Sequence, residues 1–315
     1  MKNFNTICLI AILFTCFAAN AEEKIFLLSN KASIDVPFTV HDNRILVEAE
    51  IDGKNTLTFI FDTGGSNIIT LETAQKLNLN LENWKTVSGG AGPNAVKQAE
   101  TKLKRVTIGD LTMNDQVFGV LDLSHIKKAF RFKKLDGVIG YEILQKFVTR
   151  IDFEKSKITF MLAGQILNSK NASVVSFEID HRKPIVLGAV DGVAGKFLVD
   201  TGDRSSFTLF PKFANKNKLD APFLKEQQKI TGFGVGGPIY AHVSNIKTLA
   251  VGDQTTLNNV IARLPPHEKW DIGGSIGNQI LRQFTVTFDY QKKTMTLVKN
   301  KYFGESFRFV PVPNI

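Results

Sequence analysis

The chain of 315 residues carries 39 Lys and Arg against 30 Asp and Glu, a formal charge of +9, with 43% hydrophobic residues and two cysteines. Both cysteines, Cys8 and Cys16, fall in the first 21 residues, so a chain that has lost this segment has neither disulfide nor thiol chemistry. The basic balance is moderate and no nucleic-acid-binding module is recognisable, so nucleic acid is not the expected partner.

Residues 1–21 read as a secretory signal. Lys2 gives a short basic start, Ile7–Ala19 an apolar run, and Ala19-Asn20-Ala21 a small-x-small cleavage site. A membrane anchor needs a longer apolar span. Export without cysteines points to a bacterial envelope, in the periplasm or beyond it. Lipidation at Cys16 is not expected, because Thr15 before it fits a lipoprotein signal poorly. A short extension, residues 22–33, then precedes a first lobe at 34–163. A polar linker at 164–173 leads to a second lobe at 174–300 and a tail at 301–315.

In the first lobe, Arg44–Ile51 alternates toward Ile45, Val47, Ala49 and Ile51, Asp52-Gly53 supplies a hairpin turn, and Asn55–Phe61 resumes as a strand. Helical signals follow at Leu71–Leu77 and Tyr141–Lys146. The basic stretch Lys127–Lys134 reads as a solvated face, or as a weak contact for an anionic envelope surface. The second lobe repeats the hairpin as Pro184–Val190, Asp191-Gly192 and Val193–Val199. Its short helices are expected at Pro211–Lys218 and Asn278–Arg282, with Pro211 suited to a first helical position. The fold class is all-β with a few short helices, and the cleft between lobes is where a site belongs.

Each hairpin runs into the same tripeptide, Asp62-Thr63-Gly64 and Asp200-Thr201-Gly202. Later landmarks recur in the same order. Gly140, ending Asp136-Gly137-Val138-Ile139-Gly140, lies 78 residues after Asp62, and Gly277, ending Gly273-Gly274-Ser275-Ile276-Gly277, lies 77 after Asp200. Asp152 and Asp289 follow at 90 and 89 residues. Spacing held to one residue over that distance marks an internal duplication of two domain-sized copies.

Two carboxylates brought face to face by such a repeat cannot both ionise cheaply. They share a proton, and the pair supplies a general base and a general acid together. Asp62 and Asp200 are the candidate catalytic residues. Thr63 and Thr201 carry hydroxyls that can bond across the interface, and Gly64 and Gly202 let backbone N–H groups approach the carboxylates. A water activated by this pair would hydrolyse a peptide bond.

These residues, with Asp62-Thr63-Gly64-Gly65-Ser66, Asp200-Thr201-Gly202-Asp203-Arg204-Ser205, Val138-Ile139-Gly140 and Ser275-Ile276-Gly277, resemble the aspartic peptidases of the pepsin and retropepsin clan. More narrowly, the chain is similar to the bacterial retropepsin-like proteins with two lobes in one chain. The resemblance spans nearly all of it beyond the signal. It implies two acid-protease-type β-barrel lobes around a central cleft, a monomer, a peptide or protein substrate, and neither cofactor nor metal. It also implies substrate-covering flaps, one per lobe, at the Gly-rich stretches holding Gly89, Gly90 and Gly92 and Gly232, Gly234 and Gly236. The extension at 22–33 is too short for the long inhibitory pro-segment of pepsin-type zymogens. The tail is expected to add a strand between lobes or to pack outside.

Two positions depart from the family pattern, Gly65 and Asp203, where Ser, Thr or Ala is usual. Asp203 pointing inward would raise the dyad's pKa values; the favoured expectation is that it turns away, to Arg204 or a backbone N–H. Gly273-Gly274-Ser275-Ile276-Gly277 matches a serine-hydrolase elbow, yet its twin position in copy one is Val138. Gly232–Gly237 lacks the Lys and the context of a phosphate loop, and the five histidines show no ligand spacing. The rival from another class is a non-catalytic peptide-binding or scaffolding protein that keeps the cleft.

Overall fold

The computed structural model describes residues 25–27, 32–162, 171–268 and 270–313; the residues read as a signal, and most of the linker, lie outside them. Strands dominate, with six short helices among the described residues. Arg44–Ile51 pairs antiparallel with Asn55–Phe61, and Lys183–Val190 with Val193–Val199. The second hairpin closes through Asp191-Gly192 at φ 48° and 82°, the conformation of a two-residue type I′ turn. The first has Lys54 as an additional loop residue after Asp52 and Gly53. The alternation carries Ile45, Val47, Ala49 and Ile51 into the core, each at most 1% exposed.

Each lobe is filled by phenylalanines. Phe59 meets Phe118 at a centroid distance of 6.2 Å, and Phe197 meets Phe207 edge-on at 5.6 Å, all fully buried. Gly137–Ile139 runs parallel to Asn55–Phe61 and antiparallel to Ile68–Thr70. It therefore sits between the strand entering the Asp62 turn and the strand leaving it. Gly274–Ile276 does the same in the second lobe, between Val193–Val199 and Phe207–Leu209. Both ends of each Asp turn are anchored to one buried strand.

The lobes also share a sheet. Val148–Asp152 pairs antiparallel with Phe284–Asp289, so the first copy's late strand hydrogen-bonds directly to its twin. Lys157–Met161 and Ser33–Pro37 extend this sheet on one side, Thr294–Lys299 and Ser173–Asp180 on the other. The sequence division between lobes is thus not a division between sheets.

The expected helices form over Leu71–Lys76, Tyr141–Leu144, Pro211–Lys216 and Asn278–Leu281, slightly shorter than the pattern suggested. Two more, Ser124–Ala129 and Ala221–Leu224, are too short for a helical period to show in sequence. The first lies in the basic stretch, where Lys127 bonds Glu72 and Phe130 and Phe132 turn inward, leaving Lys133 and Lys134 exposed. The tail corrects an expectation: from Tyr302 to Pro313 it forms no strand between lobes. Pro311 and Pro313 have no N–H for a ladder, and the shared sheet is built from other strands. Most of it is exposed or half-buried, while Val312 is buried at 7% exposed.

Candidate active site

Asp62 and Asp200 each follow directly on a hairpin strand and make the same first bond. Asp62 N donates to Ile139 O at 2.9 Å and Asp200 N to Ile276 O at 3.0 Å. Inside each turn the glycine amide donates to the aspartate, Gly64 N to Asp62 Oδ1 at 2.7 Å and Gly202 N to Asp200 Oδ1 at 2.8 Å. Asp203 N adds a bond to Asp200 Oδ1 at 3.1 Å.

The threonines lock the two turns to one another. Thr63 N donates to Thr201 Oγ1 and Thr201 N to Thr63 Oγ1, both at 3.0 Å. Each hydroxyl then donates across the interface, Thr63 to Val199 O and Thr201 to Phe61 O, both at 2.8 Å. Both side chains are fully buried, so a lost partner would leave a buried polar group unsatisfied. Four bonds from two residues hold the turns in a fixed relation.

That relation sets the carboxylates against opposite glycines. A Cβ on Gly64 would stand 2.6 Å from Asp200 Cγ, and one on Gly202 would overlap the Asp62 carboxylate. Gly65 is equally confined, since a Cβ there would lie 2.8 Å from Asp62 Oδ2. Proximity has an electrostatic result. The Asp200 carboxyl is held well above the ordinary carboxylate range, first by burial, then by the charges of Asp62 and Asp203 and a hydrogen-bond contact with Asp62. One carboxyl acid beside one carboxylate is the arrangement that can give and take protons at a single bound molecule.

The Asp203 side chain takes its hydrogen bonds from Arg263, Ser205 and Thr208 rather than from Arg204, while its charge still helps to raise Asp200. Arg263 Nη2 reaches both Asp203 oxygens at 3.0 Å, Ser205 donates from N at 2.9 Å and from Oγ at 2.7 Å, and Thr208 Oγ1 donates at 3.1 Å. Burial alone would raise the Asp203 carboxyl; the Arg263 charge and these hydrogen bonds bring it below its usual value. Arg204 instead pairs with Asp42, which also pairs with Arg44. Arg44 Nε donates to Gly202 O at 3.1 Å, and the two guanidinium groups stand 4.3 and 5.1 Å from the Phe130 centroid. This cluster and Arg263 escaped the reading of the sequence. One signal was present: Arg44 lies 18 residues before Asp62, and Arg182 lies 18 before Asp200. The twin took a different partner, Glu142, at 3.0 Å.

The Gly-rich stretches lie on hairpins. Glu82–Ser88 pairs with Ala95–Ile108, and Lys229–Gly234 with Gly237–Val251. Their tips meet: Gly236 N donates to Gly89 O at 2.8 Å, and Asn94 N to Gly236 O at 3.2 Å. The structure brings Gly89, Gly92, Gly234 and Gly236 together, with backbones too close for side chains. Gly90 points away from any neighbour, and Gly232 lies lower in its strand beside Arg263. Replacing Gly236 by Val should therefore part the tips. Hydrogen exchange at the Gly92, Asn94 and Gly236 amides is expected to quicken by at least about tenfold, with little change in global stability. Unchanged exchange would show that the tips tolerate a side chain.

Ser275 has no nucleophile's setting. It lies within a buried strand paired on both sides, and no elbow exposes it. No cluster of three or more His, Cys, Asp or Glu suited to a metal occurs among the described residues.

No curated protein matches the chain. The sequence model of the aspartyl protease family matches it twice, over residues 47–143 and 186–280. Each match begins in a hairpin strand, takes in one Asp-Thr-Gly turn, and ends on the short helix behind it. With more than half of its length matched in two copies, the chain belongs to the aspartyl protease family as a two-lobed, retropepsin-like member.

Proposed function

We propose that the protein is an exported aspartic endopeptidase working through an Asp62/Asp200 dyad. The observation that carries the reading is the pair of carboxyls set against each other's turns, with Asp200 raised well above the ordinary range. A water between them gives a proton to the Asp62 carboxylate as its oxygen attacks the scissile carbonyl. Asp200 protonates the carbonyl oxygen to give a gem-diol; the proton on Asp62 then passes to the amine nitrogen as the C–N bond breaks, and a gem-diol hydroxyl returns a proton to Asp200. No covalent enzyme intermediate forms and no cofactor is required. Substrate lies as an extended strand between flaps and dyad, held by its backbone with side chains in alternate pockets. Thr63, Thr201, Gly64 and Gly202 hold the carboxylates in register. Export rests on residues 1–21, and a weak contact with an anionic envelope surface on the exposed Lys133 and Lys134.

Purified protein lacking residues 1–21 should cut members of a diverse peptide library. Because Asp200 must be protonated to act, the alkaline limb of the rate profile is expected well above 3.8, the ordinary aspartate value. A folded protein that captures peptides at every pH without cutting them would replace this reading with that of a peptide-binding protein.

A further inference from the structure

We infer that the C-terminal segment from Arg308 to Pro313 is a resident peptide in one half of the cleft, marking a subsite that substrate reaches only by displacing it. Its effect on turnover rests on the peptidase reading above; its effect on peptide binding does not.

The duplication makes the two halves of the cleft comparable. On the first-lobe side a groove of about 380 Å³ is lined by Ser66, Asn67, Gly119 and Glu142, among others, with Arg182 from the second lobe. In the second lobe the corresponding surface, with Arg204, Ser205, Ile261 and Gln279, encloses only about 20 Å³. Ser66 and Arg204 each stand four residues after their aspartate, and Glu142 and Gln279 each two after the Gly of the recurring pentapeptide. The C-terminal segment adds Arg308, Phe309 and Val310 to the lining of this narrow space, beside Thr231, Val243 and Arg263.

The segment is held through its backbone. Gln279 Nε2 donates to Arg308 O at 2.9 Å, and Arg308 N donates to Gln279 Oε1 at 3.2 Å, a two-point contact like that of a neighbouring strand. Arg204 Nη1 donates to Val310 O at 2.7 Å and Nη2 to Pro311 O at 3.2 Å; Arg131 Nη2 donates to Pro313 O at 3.0 Å. Val312 enters an apolar cluster with Ile60, Phe130 and Phe132 of the first lobe and Phe233 and Val235 of the second flap. Ile60 is two residues before Asp62 and Arg204 four after Asp200, so the segment is held by chain that flanks both Asp turns. The segment runs from Gln279 at Arg308 to the apolar cluster at Val312.

Backbone capture suits any extended peptide, and the pocket around Val312 selects a branched aliphatic side chain at that place. A tethered occupant acts at an effective concentration of roughly a millimolar, so an intrinsic Kd of about 0.1 mM raises KM for substrate about tenfold.

The test uses a fluorescent synthetic peptide with the sequence of residues 308–315 and measures its binding by anisotropy, in an Asp62→Asn background so that no turnover intervenes. Three forms are compared: the full chain, a chain ending at Phe307, and Val312→Asp. The probe is expected to bind the shortened and Val312→Asp forms at least about tenfold more tightly than the full chain. A probe with Asp at the Val312 position should not bind. With Asp62 restored, shortening should lower KM for a cleavable peptide about tenfold and leave kcat nearly unchanged. Equal probe affinity in all three forms would overturn the inference, as would a folded shortened chain that binds no probe. Should the shortened chain not fold, Val312→Asp decides by the same reading. Probe binding as expected, with no peptide cut by any form, would leave the resident-peptide inference standing and remove the peptidase reading.

Discussion

Asp62→Asn is expected to abolish peptide hydrolysis while the protein stays folded. The amide keeps the shape of the carboxyl and can still accept from Gly64 N, which bonds Asp62 Oδ1 at 2.7 Å. It cannot take a proton from water, so the base is lost and the rate should fall on the order of 10²–10⁴-fold. Asp200→Asn should lose activity comparably, because the acid of the pair is removed. The two variants also report on stability. A folded-state pKa raised by burial and by the Asp62 charge means that the native state binds the Asp200 proton more tightly than the unfolded chain. Stability from this group is therefore greatest below the unfolded value near 3.8 and declines as pH rises through the raised folded pKa. Asp200→Asn should flatten that decline, read as melting temperature against pH. Peptide cleavage surviving in either variant would place the chemistry elsewhere.

Arg263→Met should be the most destabilising of the single changes that leave the dyad untouched. Methionine keeps much of the volume but strands the Asp203 carboxylate, which is 9% exposed, with only Ser205 and Thr208 as partners. Removing one member of a buried pair costs about 3–5 kcal/mol, a fall in melting temperature of roughly 10 °C for a chain this size. Removing both charges, as Asp203→Ser with Arg263→Met, should recover most of the loss, because no unpaired charge remains buried. A double variant as unstable as the single one would show that the pair's worth lies in packing. The linkage here has the opposite sign to that of Asp200. Asp203 is held below its usual value despite burial, so its stabilisation is present above the unfolded value near 3.8 and fades as pH falls through the folded pKa. Arg263→Met should therefore also lessen the acid sensitivity of the fold.

Much of this architecture was legible because it is local or repeated. Period-two alternation marked Arg44–Ile51 and its twin, and the Asp-Gly pairs marked their turns. The spacing of the later glycines marked the strands behind each Asp turn. The hydroxyl grip of Thr63 and Thr201 followed from symmetry, since whatever one threonine does its twin can do back. The flaps were visible only as Gly-rich stretches; which glycines meet depends on how two hairpins from different lobes lean together. The short helices Ser124–Ala129 and Ala221–Leu224 left no period to read, whereas four others equally short were found where they follow the repeated landmarks.

Sequence by itself determined the two lobes, the hairpins feeding the aspartates and the pairing of the aspartates, because turn chemistry, strand period and duplicated spacing are properties of short stretches. Tertiary structure alone decided which cation neutralises Asp203. Arg204 is the next residue, yet Arg263, 60 residues away, reaches the carboxylate, while Arg204 crosses to Asp42, 162 residues away. It also decided that the tail lines one groove and not its twin. Sequence symmetry is broken there by a segment present once, and the place of a strand-less peptide is set by whichever unsatisfied backbone and apolar surface the finished fold presents to it.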